Sequence, residues 1–131
     1  KQILFFCTTL FLFFSSCSKH PEKVLPRKDG KWDYISTVET YENGYWETLK
    51  LTGQFYFYKN GTFTFTDNGN PETGTWSASE NRVTLVIDGS PIPYEVTEKK
   101  KNAETWQLNH TLTVMGVHYE SRNTTRLTRS K

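Results

Sequence analysis

The sequence predicts an all-β protein: an antiparallel up-and-down β-barrel of about eight strands. Three observations carry this. From Cys17 onward the chain holds 17 threonines against two alanines, Ala78 and Ala103, a balance that favours strands over helices. Its eight glycines fall between short alternating runs, the spacing of an antiparallel barrel or sandwich. No segment keeps a 3.6-residue apolar period for three turns. A chain of 131 residues has room for one domain with one core.

The first sixteen residues stand apart. Ten of the twelve side chains from Ile3 to Phe14 are apolar, Lys1 precedes them, and Ser15-Ser16-Cys17 follows. A charged start, an apolar middle and a small-residue end make residues 1–16 a signal peptide. The run falls short of the ~20 residues that span a bilayer. Phe14-Ser15-Ser16-Cys17 resembles the lipobox of bacterial lipoproteins, with Phe14 where leucine is usual. That resemblance implies cleavage before Cys17, a lipid on Cys17 and anchoring to a membrane of the bacterial cell envelope. Each buried methylene of such a lipid contributes about 0.8 kcal/mol.

Residues 17–29 read as a flexible, lipid-anchored tether. Ser18 to Asp29 holds Pro21, Pro26 and six charged residues, with only Val24 and Leu25 apolar, too little to bury. Bacteroidetes-type lipoproteins bound for the cell surface carry an acidic run after the cysteine. Ser18-Lys19-His20-Pro21-Glu22 lacks it, which implies an outer-membrane protein facing the periplasm.

Residues 30–131 form the barrel domain. Strands are expected near 31–41, 45–51, 54–59, 62–67, 73–78, 82–88, 92–100, 104–114 and 117–128. Two hairpin registers follow from loop length. A three-residue loop at Lys59-Asn60-Gly61 pairs Phe57 with Phe63 and Phe55 with Phe65, putting four rings on one face. At Asn43-Gly44 a three-residue loop would set Glu39 against Glu47. A two-residue loop instead pairs Val38 with Leu49 and Tyr41 with Trp46. Further on, Val83, Leu85 and Ile87 alternate inward, as do Ile92, Tyr94 and Val96. Trp106, Leu108, Leu112 and Val114 share one parity. Closing such a sheet into a barrel removes its edges.

Gly30-Lys31-Trp32 at the head of the first strand resembles the Gly-x-Trp motif of lipocalins. Tyr58-Lys59-Asn60-Gly61-Thr62-Phe63 followed by Gly74-Thr75-Trp76 resembles the lipocalin-like domain of small Bacteroidetes lipoproteins. The resemblance runs from about Gly30 to Arg129. It implies that Trp32 plugs the closed end of the barrel, with an arginine of the last strand, Arg126 in preference to Arg122, packed over it. It also implies a binding barrel for a small hydrophobic ligand, with Phe55, Phe57, Phe63, Phe65, Tyr94 and Trp106 as candidate lining. The same rings can equally fill an eight-stranded barrel and leave no cavity.

A net charge of +2 without a basic stripe gives no reason to expect nucleic acid as a partner. Two cysteines make neither a disulfide scaffold nor a four-ligand zinc site, and no metal or cofactor is expected. His110 shares the inward parity of Trp106. His118 lies beyond Gly116, where a bulge would change the register. No nucleophile elbow, phosphate loop or redox Cys-x-x-Cys is present, so the expected role is binding and not catalysis. The competing expectation is a filled barrel serving as a protein-interaction or inhibitor module in the cell envelope. Tyr41, Trp46, Tyr56 and Tyr58 would be its outward aromatic patch, with the protein partner unknown.

Overall fold

The computed structural model describes residues 20–67 and 69–131. The expected signal peptide and Cys17 lie outside the described residues. Eight antiparallel strands form a closed barrel in chain order. They are β1 (Lys31–Glu42), β2 (Tyr45–Phe57), β3 (Thr62–Asp67), β4 (Asn70–Ala78), β5 (Arg82–Ile87), β6 (Ser90–Lys99), β7 (Ala103–Val114) and β8 (Val117–Arg129). β8 pairs back onto β1 from Trp32↔Arg129 to Tyr41↔Glu120. The two segments expected at 45–51 and 54–59 are one strand, β2, unbroken through Gly53. Here the absence of a side chain matters: a Cβ on Gly53 would press on the Thr66 carbonyl oxygen and the Tyr34 ring. Glycine in this strand therefore marks a close approach, not a break.

Both hairpin registers are as expected. Phe57 faces Phe63 and Phe55 faces Phe65, around a loop in which Gly61 has φ +85°. At the other end of β2, Val38 faces Leu49 and Tyr41 faces Trp46. Asn43 and Gly44 form that two-residue turn at φ +52° and +85°, the mirror-image turn whose twist suits a hairpin.

The barrel has unequal ends. At the closed end Trp32, Phe57, Phe63, Val83, Leu85, Val96, Trp106 and Leu127 are buried together. Their rings interlock: Phe57 lies 5.9 Å from Trp106 and 5.6 Å edge-on from Trp76, centroid to centroid. Such pairs add about 0.5–1.5 kcal/mol each beyond the area they bury. At the other end the walls differ in height. β2 meets β3 only over Phe55–Phe57, and the β6–β7 ladder reaches only Glu95↔Gln107. The long strands β2, β1, β8 and β7 therefore rise as a four-stranded sheet above the short wall of β3–β6.

The segment expected to be a tether is folded over residues 20–29. Pro21–Val24 form one helical turn, α1, and Val24 and Leu25 are 1% and 0% exposed in the barrel core. The charged side chains of this stretch are exposed, while Pro21, Val24 and Leu25 are buried and cap the closed end. The low average hydrophobicity that predicted a disordered tether hid the placement of Val24 and Leu25.

Candidate functional site

The closed end is held from three sides. Trp32 Nε1 donates to the Leu25 carbonyl oxygen at 2.9 Å. Gly30, at φ +69°, brings its carbonyl to the Phe57 N–H at 2.9 Å, and a Cβ there would collide with the Phe57 carbonyl oxygen. Glycine is thus required one residue before the strand.

The arginine over Trp32 is Arg129, not Arg126 or Arg122. Its guanidinium lies 3.9 Å from the Trp32 ring. Its Nη1 and Nη2 donate to the Arg27 and Val24 carbonyl oxygens at 2.7 and 2.8 Å. Parity explains the correction. Trp32 points inward and Arg129 is its ladder partner, so they share a face, whereas Arg126 faces the outward Ile35. Arg122 is also outward, 4.5 Å over the Trp46 ring.

Glu104 is a buried acid that sequence reasoning missed. It lies on the inner face of β7, 1% exposed, and its Oε2 accepts a 2.7 Å hydrogen bond from Trp106 Nε1. Burial raises its pKa to about 7, with the Trp106 hydrogen bond and the charges of Arg129 and Lys99 opposing the rise. Glu104 Oε1 and Arg129 Nε are both buried without a hydrogen-bond partner. The only signal available beforehand was the inward parity of residue 104 with Trp106.

Above this packed half lies a cavity of about 140 Å³. Tyr34, Phe55, Phe65, Leu85, Ile87 and Tyr94 give it apolar and aromatic walls, with Leu51 toward the mouth. The Tyr34 and Phe55 rings are 4.6 Å apart. One side is polar but uncharged. Ser36 Oγ donates to Asn123 Oδ1 at 2.7 Å, and Thr125 Oγ1 lies 3.0 Å from Ser36 Oγ. With Asn123 Oδ1 engaged, its amide nitrogen remains for a guest. Burial also raises the pKa of the Tyr94 hydroxyl, with Tyr34 adding to the rise, so it stays a neutral donor.

Of the six candidate lining residues, Phe55, Phe65 and Tyr94 line this cavity. Phe57, Phe63 and Trp106 are 1%, 0% and 0% exposed in the closed-end core and do not line it. The sequence placed all six on one face correctly but did not reveal their depth along the barrel axis. The two prospects of a filled barrel and a cavity are both realised, one in each half. Farther up, Thr40, Glu42, His110, Leu112, Tyr119 and Ser121 border a wider space of about 340 Å³ at the mouth. His110 is inward, as expected. No bulge follows Gly116: Val114 pairs directly with Val117, and His118 points out, 3.7 Å from Glu120.

The four outward aromatics do not form one patch. Tyr41 and Trp46 touch, with ring centroids 5.3 Å apart, at the open end. Tyr56 and Tyr58 lie at the closed end, ten or more residues along β2 from Trp46, roughly 30 Å at strand rise.

No protein-family model matches the chain, and no curated protein matches it.

Proposed function

We propose that this protein is a membrane-tethered lipoprotein of the bacterial cell envelope whose lipocalin-like barrel binds a small hydrophobic ligand. The observation that carries the reading is the pocket of about 140 Å³ between Tyr34, Phe55, Phe65 and Tyr94, open on one side and set above a core of fully buried side chains. A cavity of comparable size in an apolar core accepts a benzene-sized guest. A single ring or short branched chain fits here, its apolar surface contributing about 25 cal/mol per Å² buried. The Asn123 amide and the Tyr94 hydroxyl orient a guest that carries one acceptor. Pockets of this kind, mostly apolar with a few placed polar groups, are the usual form of small-molecule sites.

Two experiments test the two halves of the proposal. Native mass spectrometry and tryptophan fluorescence against a panel of small aromatic and aliphatic compounds should show one-to-one binding, reduced by Phe65→Trp, which fills the cavity. Binding unaffected by that substitution would place the ligand elsewhere. For the anchor, Cys17→Ala or globomycin treatment should block lipid-dependent processing and membrane association. Unchanged processing would remove the lipoprotein half.

A further inference from the structure

The charges of the barrel are sorted by end. At the closed end the capping segment 20–30 and the loops 58–61, 79–81 and 100–102 lead into and join the strands. They carry Lys23, Arg27, Lys28, Lys59, Lys100 and Lys101 against Glu22, Asp29 and Glu80. The strand ends that enter them add Lys31, Arg82, Lys99 and Arg129, with no acidic residue. At the open end the turns 43–44, 68–69, 88–89 and 115–116 and the strand ends beside them hold Glu42, Asp67 and Asp88, and no lysine or arginine. A chain with a net charge of only +2 thus gathers a basic face at one end. Some of these cations are engaged within the fold. Arg129 lies on Trp32, Lys99 Nζ donates to the Glu80 carbonyl oxygen and to Asn81 Oδ1 at 2.8 Å, and Lys100 pairs with Glu98 at 2.9 Å. Lys23, Arg27, Lys28, Lys59 and Lys101 are exposed, and none takes part in an ion pair among the described residues. Next to Lys59 stands Tyr58, 44% exposed, the one ring that these loops hold.

The chain toward Cys17 leaves from this same end. His20, the first described residue, opens the cap, and the three residue steps from Cys17 span at most about 10 Å. Charges act through water over about that distance, one Debye length at about 0.1 M salt. We propose that the closed end is a docking face for an anionic bilayer. Lys23, Arg27, Lys28, Lys59 and Lys101 lie against the phosphates of its headgroups. Tyr58 sits at headgroup level, where tyrosine is enriched. The proposal rests on the lipoprotein reading for the nearness of the bilayer and is independent of the cavity. A lysine or arginine near an anionic surface strengthens binding about fivefold. Five such cations, less the two exposed acids of the cap, Glu22 and Asp29, leave three, or about a hundredfold preference for an anionic over a neutral bilayer.

Vesicle sedimentation tests the face without the anchor. The piece 18–131 lacks Cys17 and so any lipid, and it keeps every strand and the whole buried core from Val24 to Leu127. A cooperative thermal melt checks that each variant is folded. The piece should bind vesicles of phosphatidylglycerol and phosphatidylcholine in equal parts about a hundredfold more tightly than phosphatidylcholine alone. About 0.5 M salt, where screening shortens to a few ångströms, should abolish that preference. Lys23→Gln/Arg27→Gln/Lys59→Gln/Lys101→Gln should lose it, and Lys50→Gln/Arg122→Gln, in the open half, should keep it. Equal binding to charged and neutral vesicles overturns the proposal, as does equal loss in the two variants. Tighter binding to a DNA duplex than to the charged vesicles makes the bilayer the wrong occupant and overturns it too. With no lipid present, none of these outcomes bears on Cys17, whose anchoring is decided by its own variant.

Discussion

The Arg129 guanidinium rests on the Trp32 ring, its partner across the β1–β8 ladder, and holds the carbonyl oxygens of Arg27 and Val24 with its two terminal nitrogens. One side chain thus joins the last strand, the first strand and the segment before it. Arg129→Ala should destabilise the protein by about 2–4 kcal/mol, since it removes two charge-assisted hydrogen bonds and a cation–π contact. Arg126→Ala, on the outer face, should stay within about 0.5 kcal/mol. Urea unfolding of the two variants decides between them, and equal effects would refute the assignment of Arg129 as the closing arginine.

The cap over the closed end is a second point of dependence. Leu25 is fully buried there although the segment around it carries the exposed charges Glu22, Lys23, Arg27 and Lys28. Leu25→Ala should cost about 2–4 kcal/mol, as for other core leucines. A loss below 0.5 kcal/mol would mean the segment before β1 does not hold the core. Protease sensitivity should rise with the same substitution, at Lys23, Arg27 or Lys28.

Glu104 gives the fold a pH dependence of known sign. Its pKa in the folded protein, about 7, lies above the unfolded value near 4.5. Between those two values the folded state holds a proton that the unfolded chain has released, so stability falls as pH rises from about 4.5 to about 7 and then levels. The total from this group is on the order of 3 kcal/mol. Glu104→Gln keeps an acceptor for Trp106 Nε1 and removes the titration. Thermal melts from pH 5 to pH 8 should flatten in the variant, with a higher midpoint at pH 8. A variant curve parallel to that of the wild type would assign the dependence to another group.

Gly53→Ala tests the close approach inside β2. The added methyl meets the Thr66 carbonyl oxygen and the Tyr34 ring, so the strand or the ring must move. A loss of about 1–3 kcal/mol is expected, as for other overpacked sites. Because Tyr34 walls the cavity, ligand affinity should fall with it. A neutral effect in both denaturation and titration would argue against that contact.

The parts of the fold that local chemistry decides were readable from the chain. Asn43-Gly44 and Lys59-Asn60-Gly61 specify their turns, and the alternation of the phenylalanines fixes which register buries rings. The closing arginine was hidden behind one turn whose register the sequence leaves open. Met115 and Gly116 form a two-residue loop in which Met115 takes φ +50°, a conformation its sequence does not advertise. The expected strands end at 114 and resume at 117, but with a bulge beyond Gly116; with direct pairing of Val114 and Val117, the inward parity of Trp106 passes to Thr125 and on to Arg129. Depth was a different matter. Phe55 and Phe57 are two residues apart on one face, yet Phe55 walls the cavity and Phe57 belongs to the sealed core. That difference arises from unequal strand pairing around the barrel, which depends on contacts distant in sequence. The segment at Val24-Leu25 was misjudged because average composition cannot show that two adjacent side chains find a hole to fill.

The position of that cap also fixes a stance. Only Ser18 and Lys19 lie between Cys17 and His20, the first described residue, and three residue steps span at most about 10 Å. With the proposed lipid on Cys17, the sealed end of the barrel would be moored at the headgroups, and the tall sheet would stand out into the aqueous space. A fluorophore attached at Met115, which is fully exposed at the far tip, should then escape quenching by nitroxides in the bilayer. In that stance the proposed guest would come and go through water, on the side away from the membrane.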